Sequence, residues 1–171
     1  MFKSKASAGG VYTIRCIGSD GQLKWEQETP NLVVNQGLQD MNTTYFNSGT
    51  QVTTWYVGLI TGPGSGTTIT AADTLASKAW TEFTNYAGNR KAAVFATATT
   101  ADPSVVTNTA SPAQFSISGA GGTVAGAFLA SVATGTSGVL FSASDFQSPG
   151  DRVVVSGDQL NVTYTFSLDA A

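Results

Sequence analysis

The sequence predicts an all-β protein, a single-domain antiparallel β-sandwich of the jelly-roll type with one short helix near residues 36–46. Short strand-like segments recur along the chain with turn residues every 8–12 positions or so, which is typical of sandwiches. In several segments apolar and polar residues alternate, as they do in strands with one buried face. Charged residues make up only 11% of the 171 residues and hydrophobic residues 42%, a balance that argues against disorder.

The first predicted pair of strands is a hairpin in "GGVYTIRCIGSDGQLKWEQE". Tyr12, Ile14 and Cys16 alternate with polar residues, and Asp20-Gly21 is a typical two-residue hairpin turn because both positions tolerate positive φ. Ahead of this hairpin, residues 1–10 lack strand patterning and are predicted to form a flexible arm. The sandwich domain is expected to span residues 11–171.

The one helix candidate follows a short strand in "NLVVNQGLQDMNTTYF". Leu38, Met41 and Tyr45 recur at helical spacing, and Asn35 is a candidate N-cap. We expect about three turns.

A glycine-rich loop, "GPGSGTT", follows the apolar strand of residues 53–61. A strand followed by a glycine-rich loop is the order found in phosphate-binding loops. A Walker-type loop, however, needs four residues between its first glycine and a Gly-Lys pair. Here Gly62 and Gly66 are too close, and Thr67 stands where the lysine belongs. We interpret the segment as a projecting loop of a β protein, with Pro63 as a candidate partner contact.

The second half of the chain is a succession of predicted strands. The strongest pattern is "DRVVVSGDQLNVTYTFSL", interpreted as a hairpin that turns at Gly157-Asp158. From Leu160 to Leu168 every second residue is apolar, so one face of this strand is expected to be buried.

Composition and residue types exclude several functions. The net charge of −3 and the pI near 4.6 argue against nucleic-acid binding, which calls for a basic surface. The chain contains no histidine and one cysteine, Cys16, so triads and zinc clusters that depend on these residues are excluded. Cys16 is expected to be a buried, inert thiol. We therefore expect no enzyme activity, no cofactor and no metal, and no membrane partner, since no window is apolar enough to span a bilayer.

The segment "SKAWTEFTNYAGNRK" carries the remaining candidates. Trp80 is expected to be partly exposed, and Glu82 and Arg90 are expected to pair across adjacent strands as a surface ion pair worth less than about 1 kcal/mol. Trp80 and Arg90 are therefore candidate partner contacts. Tryptophans serve mostly in cores, and also at subunit interfaces and as sugar platforms, and these alternatives remain open.

Three segments, "NLVVNQGLQDM", "TTWYVGLITG" and "ADTLASKAWTEFTNYAGNRKAA", resemble small virion structural proteins of tailed bacteriophages. The most specific parts are W-x-E-F-T-x-Y with "NRK" downstream, and "GLITG" ahead of "ADT". Read with the later strands, the resemblance covers roughly residues 30–168.

The resemblance implies a capsid decoration, or cement, protein without enzyme activity. Such a protein would lie on the capsid exterior of the virion and bind the major capsid protein and itself, as a homo-oligomer (dimer or trimer). Phe2, Lys3 and Lys5 in the arm would then be candidate contacts, with the phenyl ring in a pocket and the lysines on an acidic surface. Alternatives are a tail or neck protein, including a glycan-binding one, and a glycosidase, which would need two facing carboxylates.

Overall fold

The computed structural model of the protein describes residues 6–62, 68–147 and 150–170, and within them it is a sandwich of two antiparallel sheets with one helix. This confirms the predicted all-β sandwich. The elements in chain order are β1 (Ala6–Ile17), β2 (Leu23–Pro30), β3 (Leu32–Val33), α1 (Asn35–Phe46), β4 (Trp55–Thr61), β5 (Glu82–Phe83), β6 (Lys91–Ala93), β7 (Ser104–Thr107), β8 (Ala113–Ser116), β9 (Gly122–Ala130), β10 (Leu140–Asp145), β11 (Arg152–Val154) and β12 (Gln159–Ala170).

The first sheet has the order β2-β1-β12, and β7 and β8 follow one another along the other edge of β12. The predicted hairpin β1–β2 is confirmed, with Gly21 at φ 79° in its turn. β1 and β12 pair along their whole length, from Ala6 opposite Ala170 to Ile17 opposite Gln159.

The second sheet has the order β3-β10-β9-β4-β5, with β11 beside β9 and β6 beside β4. β5 and β6 both pair with β4, so they lie in line along the same strand and not side by side. β9 is buried along most of its length, and its residues contribute to apolar clusters on both faces of the sheet.

The main core lies between the two sheets. Alternate residues of β1 and β12 enter it, among them Tyr12, Ile14 and Tyr164. The Tyr12 and Tyr164 rings stack with their centroids 4.5 Å apart, and both hydroxyls reach Ser142 Oγ, at 2.8 and 3.3 Å. The polar atoms of these tyrosines are thus hydrogen-bonded where water is excluded, which buried hydroxyls require.

A second apolar cluster covers the other face of the second sheet. Ile60, Phe128 and Leu140 project from strands into it, and Leu75 and Trp80 cover them from the segment between β4 and β5. Residues 71–77 of this segment, where a helical turn was expected, contain turns and bends but no helix. The second sheet is therefore buried on both faces, which explains why β4 is apolar on both sides.

Helix α1 has twelve residues, so the expected three turns are confirmed. Its N-cap is Val34, and no side chain caps it, so the predicted capping role of Asn35 is wrong: Asn35 is the first helical residue. The helix packs on β10 through Gly37, where an added Cβ would collide with the Phe141 carbonyl. A glycine at this position therefore lets the helix approach the strand.

Two further expectations differ from the structure. Residues 6–10, expected in the arm, belong to β1 and pair with β12. The predicted turn at Gly157 exists, but the two strands that flank it do not form a hairpin. β11 pairs with β9 in the second sheet, and β12 pairs with β1 in the first. The chain crosses between the sheets at this turn, and a local pattern of alternation cannot distinguish such a crossing from a hairpin.

Candidate functional site

The sequence predicts that Trp80 is partly exposed, and this prediction is wrong. Only 5% of the surface of Trp80 is accessible. Its indole Nε1 donates a hydrogen bond to Asp73 Oδ2 at 3.0 Å, and its ring packs against Phe128 with the centroids 5.0 Å apart. The polar neighbours in sequence had suggested exposure, but the indole N–H is satisfied inside the protein by a carboxylate. Trp80 thus closes the second apolar cluster.

Arg90 forms the predicted ion pair with Glu82, but the pair is not a surface pair. The Arg90 Nε and Nη2 atoms donate to the two carboxylate oxygens of Glu82 at 2.9 and 2.8 Å. The side chains are only 4% and 22% exposed. Two more bonds run from the guanidinium to the carbonyls of Val132 and Gly135, at 3.0 and 2.9 Å. The residue thus ties the loop after β9 to the edge of the second sheet.

The other predicted contacts, Phe2, Lys3, Lys5 and Pro63, lie outside the described residues. Their assignment as partner contacts stays a prediction.

An apolar groove of about 670 Å³ opens between the sheets at the end where β1 and β4 begin and β9 and β12 finish. Its walls come from both sheets, from α1 and from the loops nearby. Aromatic and aliphatic side chains dominate the lining, including Trp55, Phe95, Val106, Phe141, Phe166 and Leu168. Ligand and protein-docking sites have this character, with apolar walls and a concave shape.

Two aromatic side chains stand at the rim of this groove, at the last turn of α1. Tyr45 is 83% exposed and Phe46 79%, and their rings meet edge to face with the centroids 5.0 Å apart. Leu38, which lies about two turns earlier on the same face of the helix as Tyr45, is also exposed. The spacing that located the helix thus includes two residues, Leu38 and Tyr45, that point away from the core. Exposed large apolar groups of this kind mark interaction surfaces.

The electrostatics of the groove are dominated by the low polarity of its walls. Asp40 is the only charged residue among its described lining residues. Burial raises the pKa of this carboxyl above its usual value. Burial also raises the pKa of Tyr164, deep in the groove, well above the usual range. Both shifts follow from the cost of charging a group among apolar neighbours. The groove as described is therefore suited to apolar or cationic groups.

Outside the groove, the residue with the most reactive side chain is the single cysteine. Cys16 is fully buried, as predicted, and burial raises the pKa of its thiol to about 12. In the described parts of the chain, no three His, Cys, Asp or Glu residues lie close enough together to hold a metal ion. No helix in those parts has the length and apolar character needed to cross a bilayer.

Comparison with known protein families, with curated proteins and with solved structures finds no match to this chain.

The groove and its aromatic rim escaped the sequence analysis. Tyr45 and Phe46 lie in a helix with an ordinary apolar pattern. The neighbouring sequence does not show whether an aromatic residue at the end of a helix packs against the core or stays exposed. The groove is built from residues distant in sequence, such as Trp55 and Phe166. Its walls meet only when the two sheets are stacked.

Proposed function

We propose that this protein is a non-enzymatic decoration protein of a tailed-bacteriophage capsid, which binds the outer surface of the head and stabilises contacts between major capsid protein subunits. The single structural observation that carries the proposal is the exposed aromatic pair Tyr45–Phe46 on a rigid sandwich. Aromatic residues that are exposed in an isolated chain are enriched among the anchors of protein interfaces. The resemblance in residues 30–168 supplies the partner.

The surface around the pair fits a protein partner. Leu38 and Tyr45 are exposed along α1, and the helix carries one charged residue, Asp40. A weakly charged surface loses little on desolvation, so burying it against another protein costs less than burying a charged one. Many copies on one shell would act together, because each copy bridges subunits that its neighbours also hold.

The test uses capsids that lack the protein, mixed with the purified chain and imaged by cryo-electron microscopy. We expect regular density on the outside of the shell, with α1 facing the capsid. The variant Tyr45→Ser/Phe46→Ser should leave the shells bare. Val153→Ser, which also removes an exposed apolar side chain, from β11, is the matched control and should decorate normally. Bare shells with saturating wild-type protein would contradict the proposal.

A glycan-binding protein of the phage tail is the second candidate, and the same rim favours it. Asn42 and Asn47 lie near the exposed rings in sequence, and sugar sites combine aromatic faces with amide groups. Against it, the two rings stand at 75° to each other and so offer no continuous flat platform. A glycan array decides this: binding that Tyr45→Ser abolishes would favour the tail protein over the decoration protein.

A glycosidase gains no support from the groove. Paired-carboxylate glycosidases place two acidic groups on either side of the bond they cut. The described lining of this groove offers one, Asp40.

A further inference from the structure

The apolar groove opens beside the point where the described chain begins. Ala6, the first residue of β1, is one of its lining residues. Phe2 lies four residues earlier in the sequence, and four residues of extended chain reach about 13 Å. The segment of residues 1–5 is therefore joined to a residue on the wall of the groove, and it is long enough to reach into the groove.

The even-numbered residues of β1 face the core and the groove. Tyr12, Ile14 and Cys16 face the core, and on the same parity Ala8 packs against that core and Ala6 lines the groove. Successive side chains of an extended segment alternate between faces. In the sequence Phe2 has the same parity as these inward-facing residues, and Lys3 and Lys5 have the opposite parity.

The lining of the groove is complementary to a phenyl ring. Trp55 and Phe141 meet edge to face there with their centroids 5.2 Å apart, and Phe95 does so with Tyr164 at 6.2 Å. Aromatic rings prefer such neighbours, which present edges to faces. The volume of about 670 Å³ is ample, since a cavity of about 150 Å³ already holds benzene.

The charges near the groove are complementary to the lysines of the segment. Asp40 lies on its wall. Asp169 is opposite Ser7 in the β1–β12 ladder, and Asp102 Oδ1 accepts a hydrogen bond from the Ala170 backbone N–H at 3.1 Å. Three carboxylates thus lie at the end of the sandwich where β1 begins, and the segment joined to β1 carries Lys3 and Lys5. Opposite charges held near one another favour docking modestly at exposed positions.

We propose that the groove is the docking site for residues 1–5 of the same chain, with Phe2 as the side chain that fills it. The same chain is favoured over a second copy because a tether this short gives an effective concentration in the millimolar range or above. The proposal is independent of the capsid role. It assigns the pocket for Phe2 to the protein itself and not to a partner.

The decisive measurement is nuclear Overhauser contacts in the full-length protein between the Phe2 ring and the methyl groups of Val106, Leu129 and Leu168. We expect such contacts, and in a mixture of isotopically labelled and unlabelled chains we expect them only within one chain. Contacts between labelled and unlabelled chains would overturn the proposal in favour of exchange between copies. Absence of any contact from Phe2 to the groove would overturn it outright.

A second measurement follows the opening of the groove with the dye 1-anilinonaphthalene-8-sulfonate. Phe2→Ser should strengthen dye binding about 10- to 100-fold, the range expected from the apolar area of one phenylalanine side chain. Phe2→Leu should restore most of the protection, and Ser4→Ala, in the same segment, should leave dye binding unchanged. Equal dye binding by the wild type and Phe2→Ser would contradict the proposal.

Discussion

Two parts of the molecule that carry aromatic residues, the region around Trp80 and the rim of the groove, have opposite characters in the structure. Around Trp80 and Arg90, polar atoms are paired: the indole N–H with Asp73, and the guanidinium with Glu82 and two carbonyls. At the groove, Tyr45 and Phe46 touch each other and little else.

The difference shows what charged neighbours in a sequence mean. A charged residue beside an aromatic one indicates exposure only when its charge has no partner inside the protein. Arg90 has one, because β5 brings Glu82 and the loop after β9 brings two carbonyls. The region with more charge is therefore the closed one, and the region with almost none is open.

The largest expected effect is the loss of stability at alkaline pH, and it arises in the main core between the sheets, which is closed to water like the region around Trp80. Burial raises the pKa of Tyr12 and Tyr164, and raises those of Cys16 and Tyr86 to about 12. The folded state holds these protons more tightly than the unfolded state, so rising pH favours unfolding. Once pH passes the ordinary value of each group, the free energy of unfolding should fall by about 1.4 kcal/mol per pH unit and group. Urea unfolding between about pH 8 and about pH 11 measures this.

Cys16→Ala serves as the check on that pH dependence. It removes one of these groups. Above the ordinary thiol pKa of 9.0, the free energy of unfolding should therefore fall less steeply with pH, by the contribution of one titrating proton. A free energy of unfolding that stays level over the alkaline range would show that these groups are not buried as described.

The next effect in size concerns the Arg90–Glu82 pair. Arg90→Met leaves the Glu82 carboxylate and two carbonyls without their donor, and we expect a loss of about 3 kcal/mol in the free energy of unfolding. The control is Arg15→Met, which breaks the Arg15–Glu26 pair at 54% and 50% exposure and should cost less than about 1 kcal/mol. Similar losses of stability for both variants in urea unfolding would contradict the burial of the Arg90–Glu82 pair.

A smaller effect is expected where α1 meets the sandwich. Gly37→Ala puts a methyl group against the Phe141 carbonyl, so the helix must shift, at a cost of about 1–3 kcal/mol. In a helix with free space the same change would stabilise by helix propensity, so the sign of the effect is informative. Gly9→Ala, where the added Cβ meets nothing within 4 Å, is the control. A stabilised Gly37→Ala variant would mean that α1 is not seated on β10.

The smallest effect on stability is expected at the rim. Tyr45→Ser and Phe46→Ser remove side chains that pack on little, so each should change the free energy of unfolding by less than about 0.5 kcal/mol. If either variant lost several times that amount, the aromatic pair would be part of the core and not a contact surface.

The sequence was sufficient for the sandwich and for the helix, because period-two alternation in β1 and β12 and the spacing in α1 are local signals. Partner choice between strands is not local, so the alternation around Gly157 predicts a hairpin where the chain crosses between the two sheets. The Arg90–Glu82 pair was predicted, but its burial depends on the loop at Gly135, far away in sequence. The groove had no local signal at all.

The pairing of β1 with β12 has a consequence for how the chain acquires its structure. All twelve pairs of this ladder join the beginning of the described chain to its end. During synthesis β1 emerges before β12, so the edge of β1 that pairs with β12 stays unsatisfied until all the strands between them have been made. Contacts so distant in sequence form slowly because a long loop must close before they can form. We therefore expect the first sheet to assemble only after β12 has left the ribosome, which makes the nascent chain a natural client for chaperones.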